Sequence, residues 1–298
     1  TKDTLLYIDS LLPNQAYKFK TLQTTSNNQQ PFGNEVLAQT LDTTSHNFTW
    51  QTFESGDPNT GYSSILYDVA IINENDIWAV GEIYMNDSLG NPDPEPYGIA
   101  YWDGTDWKLK KVKFNCRLYF PNCGPDTMLI TPVYSIFARD ANDIWIAAGT
   151  IHHFNGNNWI QEAGILGAGD AHKIWGNDRE IWFVGANGFI AQRSSVGSWK
   201  KIESGTNLSL LNIYGNENNQ IFACGGNYSN GESILLKINK TGMTEKVLDG
   251  FFENRIDTSK LFISQLYGIF SSLWIDLNSS IIMGGSYIYR FRNGKWSY

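Results

Sequence analysis

The stretch Asn75-Asp76-Ile77-Trp78-Ala79-Val80-Gly81 returns as Asn142-Asp143-Ile144-Trp145-Ile146-Ala147-Ala148-Gly149 and as Arg179-Glu180-Ile181-Trp182-Phe183-Val184-Gly185. Two weaker copies are Asn219-Gln220-Ile221-Phe222-Ala223-Cys224-Gly225 and Ser279-Ser280-Ile281-Ile282-Met283-Gly284-Gly285. Recurrence at a few tens of residues identifies one supersecondary unit repeated along the chain. Such a phrase reports how the molecule is built. What the molecule binds must be sought where the copies differ.

Around each copy the order of parts is constant. A short apolar run precedes it, as in Leu66–Ile71, Val133–Phe137, His172–Trp175, Leu211–Tyr214 and Leu266–Phe270. A polar turn follows, rich in Asn, Asp and Gly, which tolerate tight-turn geometry or bond their own backbone. After the phrase come a third run and then a turn with a fourth: Asp103-Gly104-Thr105-Asp106-Trp107, Asn155-Gly156-Asn157-Asn158-Trp159, Gly197-Ser198-Trp199 and Asn293-Gly294-Lys295-Trp296. Asp-Gly and Asn-Gly are strong hairpin signals. Four antiparallel strands per unit, with no helical periodicity, describe the blade of a β-propeller. The fold class expected is therefore all-β, with five units near residues 62–113, 133–163, 170–204, 209–248 and 264–298. Trp78, Trp145, Trp182 and Phe222 are read as one knob per blade, packed on the next sheet. The closing Gly is expected where a side chain would clash.

Three segments interrupt the repeat: Asn86–Pro96, Phe114–Pro132 and Asp249–Gln265. Insertions on a repeat scaffold fall in loops, often on the binding face. Phe48–Phe53 reads as a lone fourth strand. It implies three further strands beyond Tyr298 and six or seven blades in all, or else a five-bladed ring with one spare strand.

Composition bounds the function. Of 298 residues, 42% are hydrophobic and 17% charged, which is a chain with a real core. The net charge of −8 opposes a phosphate-binding surface, so no nucleic-acid partner is expected. No apolar run approaches the length of a membrane helix. Cys116 and Cys123 bracket a short apparent loop and are expected to form a disulfide, as outside the cytoplasm. Cys224 replaces a Val or Ala of the phrase and reads as a small core residue.

The units, with Asp-Ile-Trp-x-x-Gly and Asn/Asp-Gly-x-x-Trp, resemble the repeats of bacterial secreted β-propellers grouped with the two-component-regulator and BNR types. Ahead of them, Leu11-Leu12-Pro13-Asn14-Gln15-Ala16-Tyr17 resembles the tyrosine corner of fibronectin type III domains. The resemblance implies a partial fibronectin type III-like β-sandwich over residues 1–44, a propeller over 45–298, and an extracellular or cell-surface location. Strands are expected at Leu5–Ile8, Ala16–Leu22 and Glu35–Thr40. Half a sandwich cannot cover its own core, so further sequence ahead of Thr1 is expected.

Catalytic residues are not recognised. Asp103-Gly104-x-x-Trp107 is too short for a sialidase Asp-box, and the seven arginines do not recur at matching places in three units. His152 and His153 are neighbours on a strand, so they point to opposite faces and do not share a metal; one is expected to pack and the other to be solvated. No cofactor is expected, though Asp87, Asp93 and Glu95 offer hard oxygen ligands to calcium. The function expected is non-enzymatic recognition or adhesion with a protein or glycan partner. A carbohydrate-active propeller and a self-assembling surface or filament subunit are the alternatives.

Overall fold

The computed structural model describes residues 11–20, 22–25, 28–31, 35–40, 51–116, 123–124, 127–162, 171–216, 220–239, 244–250, 271–275, 281–284, 288–292 and 295–297. The chain divides into two compact units, Thr1–Glu54 and Ser55–Tyr298.

In the first unit Ala16–Phe19 pairs antiparallel with Val36–Gln39, and Leu22–Thr25 with Asn28–Pro31. The single strand expected over Ala16–Leu22 is thus split into two that belong to different pairs. The Leu12 N–H donates to the Tyr17 hydroxyl at 2.7 Å and closes the turn ahead of the strand. Leu12 also accepts from Thr40 Oγ1 at 2.6 Å, which ties the turn to the partner strand. The strand expected at Leu5–Ile8 lies outside the described residues.

The second unit is a β-propeller of four-stranded antiparallel sheets, each in simple meander order. Sheet 1 is Ile65–Asn73, Asp76–Ile83, Tyr97–Trp102 and Trp107–Lys110. Sheet 2 is Ser135–Asp140, Asp143–Ala147, Ile151–Phe154 and Trp159–Gln161. Sheet 3 is Ala171–Gly176, Glu180–Gly185, Ile190–Ser194 and Trp199–Lys201. Sheet 4 is Ser209–Gly215, Ile221–Asn227, Glu232–Ile238 and Thr244–Gly250; sheet 5 is Ser272–Ile275, Ile281–Gly284, Ile288–Arg292 and Lys295–Ser297. The first strand of each sheet lies against the first strand of the next.

The repeated phrase is the second strand of every sheet, and its unbroken apolar run has a simple cause: both faces are covered. Ile144 and Ile146 join Trp78, Val80 and Ile99 in the layer between sheets 1 and 2. Trp145 and Ala147 point the other way, into the layer with Ile174, Ile181 and Phe183 of sheet 3. Trp182 enters the layer with sheet 4, and Phe222 the layer with sheet 5. The four knobs are buried. Each of the two tryptophans Trp78 and Trp145 meets the fourth-strand tryptophan of the following sheet edge-on, at 6.1 Å for Trp159 and 6.2 Å for Trp199.

Polar letters of the phrase serve the knob. Asp76 accepts from the Trp78 indole at 2.7 Å and Asp143 from the Trp145 indole at 2.6 Å. In sheet 3 the Asp is replaced by Glu180, whose carboxylate instead accepts from Gln192, and the buried Trp182 indole N–H is left without a partner. The closing Gly answers a crowded backbone. A Cβ on Gly81 would fall 2.0 Å from the Ile65 carbonyl oxygen, and one on Gly225 2.0 Å from that of Ser209.

Three strand expectations need correction. The strand that opens sheet 5 is Ser272–Ile275, and Leu266–Phe270 lies outside the described residues. Gln51, Thr52 and Phe53 are not in a strand, and the rest of the lone strand expected there lies outside the described residues. Sheet 4 has a fourth strand, Thr244–Gly250, that no Gly-x-x-Trp turn announces. Val69 and Ile71 on the outward face of sheet 1 are 53% and 69% exposed, and Trp274 of sheet 5 is 47% exposed. Sheets 1 and 5 therefore do not cover each other as neighbouring sheets do.

Candidate functional site

Because the strands alternate in direction, the links within hairpins 1–2 and 3–4 of a sheet emerge at one end of the blade. Links 2–3, and those from one sheet to the next, emerge at the other. The first end is uniform. Asp103 Oδ1 accepts from the N–H groups of Thr105 and Asp106 at 3.1 and 3.0 Å. Asn155 Oδ1 does the same for Asn157 and Asn158, and Asn177 Oδ1 for Arg179 and Glu180. These are self-bonded turns, with the carboxylate and amides already in use.

The two insertions that contain described loop residues, Asn86–Pro96 and Phe114–Pro132, emerge at the second end. In the segment after sheet 1, Lys113–Asn115 pairs with Met128–Ile130, and Cys116 is joined to Cys123 across a Cα–Cα distance of 6.1 Å. The expected loop is thus a stapled hairpin. In Asn86–Pro96, Asp87 Oδ1 accepts from Leu89 and Asn91 N–H groups. Asp93 and Glu95 both hold Lys111, at 2.7 and 3.2 Å. The Lys111 hydrogen bond lowers the Asp93 pKa. The oxygens considered for calcium are engaged in pinning the loop, and no metal-ligating group of three lies among the described residues.

Two cavities open at this same end, in the second unit. One, of about 390 Å³, is bounded by Asn187, Phe189, Ile202, Ser204 and Asn207; the other, of about 490 Å³, by His172, Asn187, Asn207, Leu211 and Tyr228. Asn187 and Asn207 border both. Asn187 is held at φ 53°, a left-handed conformation that few residues other than glycine accept.

Bulges in the first strands aim a row of side chains along this face. Register slips between Leu66 and Asp68, between Ala171 and Lys173, and between Leu210 and Asn212 leave Tyr67, His172 and Leu211 as the extra residues. Tyr134 stands just ahead of the matching strand of sheet 2. A bulge re-aims a side chain without breaking the sheet. The rings form a chain: Tyr67 to Tyr134 at 5.7 Å, then Tyr134 to His172 edge-on at 5.5 Å. The residue after each of these is polar. Asp68 Oδ2 accepts from Ser135 Oγ at 2.6 Å and from Lys173 Nζ at 2.7 Å, linking three sheets, and the Asn212 amide donates to the Ser271 carbonyl at 3.1 Å.

At the sheet 1 end of the row the Glu82 carboxylate accepts from two phenols, Tyr67 to Oε1 and Tyr84 to Oε2, the latter at 3.2 Å. Tyr84 stacks on Tyr62 at 4.8 Å. Desolvation, then the bond to Glu82, raises the Tyr67 pKa; desolvation and the Glu82 charge raise that of Tyr84. Both phenols stay protonated donors at neutral pH.

The two histidines do diverge. His152 is buried with Nε2 2.6 Å from Thr150 Oγ1, and burial lowers its pKa to about 4. His153 is partly exposed, less than expected, because it stacks on Trp145 at 4.0 Å and pairs with Asp143 at 2.8 Å. Burial opposes the Asp143 charge, but the bonds from Arg139 and Trp145 outweigh it and its pKa is lowered. Cys224 is a buried thiol outside any disulfide, its Sγ 4.0 Å from the Ser272 carbonyl oxygen, with its pKa raised by burial. Sequence reading missed the bulged row and Glu82. The available signal was a polar residue interrupting each first strand at one position: Asp68, Ser135, Lys173, Asn212.

No family model matches the sequence, and no curated protein matches it. Solved β-propellers do match in fold. The structure titled "YCF48 bound to D1 peptide" superposes with TM-score 0.51 at 13% identity, covering 79% of this chain and 68% of that one. The extracellular domain of the putative hybrid two-component system BT4673 from B. thetaiotaomicron matches with TM-score 0.52 at 15% identity over 83% of this chain. That of BT3049 from the same organism matches with TM-score 0.50 at 12% identity over 92%. This chain spans only 29% and 32% of those two domains. At such identities the likeness establishes the β-propeller fold that this chain shares with them.

Proposed function

We propose that the Ser55–Tyr298 unit is a non-enzymatic recognition propeller of the cell surface or extracellular space, and that it binds a protein segment across the insertion end of its blades. The observation that carries this reading is convergence. The described insertions, both cavities and the bulged row Tyr67–Tyr134–His172–Leu211 share one end, while self-bonded turns occupy the other. Loops on a rigid scaffold are where binding residues concentrate. Tyrosine and asparagine are adaptable contact residues, giving area and hydrogen bonds at low entropic cost. The disulfide favours an oxidising compartment. The fibronectin type III-like turn at Tyr17 fits a modular surface protein. That one fold neighbour carries a bound peptide, and two are extracellular domains, is in keeping with this reading.

The test is a random peptide display library and a glycan array, each challenged with the whole chain. Selected peptides should lose at least about tenfold in affinity on Leu211→Arg, which fills the larger cavity, and be indifferent to Asn157→Arg at the opposite end. Capture of glycans alone would replace this reading with the lectin alternative. Peptides that bind both variants alike would place recognition elsewhere.

A further inference from the structure

Glu82 is set apart from the ion-paired carboxylates of the propeller. Asp68 is paired with Lys173, Asp93 with Lys111, Asp103 with Lys108 and Asp143 with Arg139. Among the described residues no Lys or Arg lies within ion-pair distance of Glu82, and its hydrogen bonds come from the neutral phenols Tyr67 and Tyr84. Two phenols use part of the acceptor capacity of a carboxylate, which offers about four lone-pair sites. They also fix its orientation.

Tyrosine rings surround that charge. Tyr84 stacks on Tyr62, and Tyr67 tilts against Tyr134 at 5.7 Å. Tyr62 and Tyr67 remain 45% and 41% exposed, so part of each residue is open to a partner. The faces of aromatic rings attract cations, and an anion in the same cluster adds a charge-assisted hydrogen bond. A planar guanidinium stacks on tyrosine and bonds a carboxylate with two donors, so it suits this group better than an ammonium. The net charge of −8 steers basic segments toward the protein.

We infer that Glu82, with Tyr62, Tyr67, Tyr84 and Tyr134, is a subsite for a basic side chain of the bound polypeptide, arginine before lysine. This rests on the peptide-binding reading and adds the chemistry of one anchor. The row Tyr67–Tyr134–His172 then leads from the cation to the cavity beside Leu211 and Tyr228, where the neighbouring residues of the segment would lie.

The experiment titrates the whole chain with Nα-acetyl-arginine amide, with its lysine counterpart, and with the neutral citrulline compound of nearly the same shape, following tyrosine signals by NMR. The arginine compound should bind about tenfold more tightly than the citrulline one, with lysine between them, and should weaken as salt is added. Glu82→Gln keeps an acceptor for both phenols, and its fold is checked by circular dichroism; it should remove the difference between arginine and citrulline. Glu82→Asp keeps the charge but withdraws it, and should restore only part. Equal binding of citrulline, or an unchanged arginine preference in Glu82→Gln, overturns the subsite. If arginine fails while display-selected peptides still respond to Leu211→Arg, the subsite falls and the peptide reading stands. If arginine binds but no peptide does, the subsite stands as a cation site and the peptide reading falls.

Discussion

The two ends of the blades are built from the same strands and put to opposite uses. At the turn end, Asp103, Asn155 and Asn177 spend their side chains on their own backbones, and Asp76 and Asp143 spend theirs on the tryptophan two residues on. Among the described residues of that end, this self-bonding recurs from sheet to sheet. At the insertion end, the bulges expose Tyr67, His172 and Leu211, three different chemistries at one structural position. Uniformity marks the turn end, and variation at matched positions marks the end proposed to meet a partner.

The largest effect should come from removing a knob. Trp145 is fully buried and packs against Phe183 and Trp199, so Trp145→Ala should lower unfolding free energy by about 3–5 kcal/mol in urea titrations. Tyr67→Ala, at the other end, should cost far less stability yet weaken peptide capture. Equal stability losses would dissolve the contrast between the ends.

Next is a pH effect from the interior of sheet 2. His152 has its pKa lowered by burial from 6.5 to about 4. Between those values the unfolded chain binds a proton that the folded chain refuses. Stability is therefore full above pH 6.5, declines as pH falls toward 4 and levels below it. The size is roughly 3 kcal/mol. His152→Gln can keep the bond to Thr150, and it should flatten this part of the stability profile; a profile unchanged by the substitution would show that His152 titrates normally.

The smallest effect sharpens the turn end itself. Glu180→Asp restores the Asp-x-Trp spacing of sheets 1 and 2 and offers the orphaned Trp182 indole an acceptor. An unsatisfied buried donor costs about 1–3 kcal/mol, and loss of the Gln192 bond offsets part of the gain. A rise in Tm of about 2–4 °C is expected by differential scanning calorimetry. A fall would mean that the Asp-to-indole bond is incidental to the phrase.

Most of the blade body was legible in the chain because it rests on local rules. Alternation, Asn-Gly and Asp-Gly turns and the Asp-Ile-Trp phrase each act within a few residues. Where a local marker is missing, reading failed: Thr244–Gly250 lacks the Gly-x-x-Trp turn, and Ser272–Ile275 begins just past a more apolar run. The histidine pair shows the same limit. Opposite faces followed from strand geometry, but the Trp145 ring and Asp143 carboxylate that partly cover His153 come from a different strand.

What the sequence by itself determined is the unit: four short strands, the repeated phrase as one of them, and a knob per blade. What only the tertiary structure decided is the face proposed for recognition. The phrase's Gly81 and Gly225 looked like simple clash relief. They stand opposite the bulges, where the neighbouring backbone leaves no room for a Cβ. The bulge is a slip in pairing between two strands and has no signature within either. It sets which way Tyr67, His172 and Leu211 point, and the stacking of neighbouring sheets then gathers them with Tyr134 along one end of the blades. Pairing and stacking act between strands distant in sequence, and that is why the architecture could be read along the chain while the site could not.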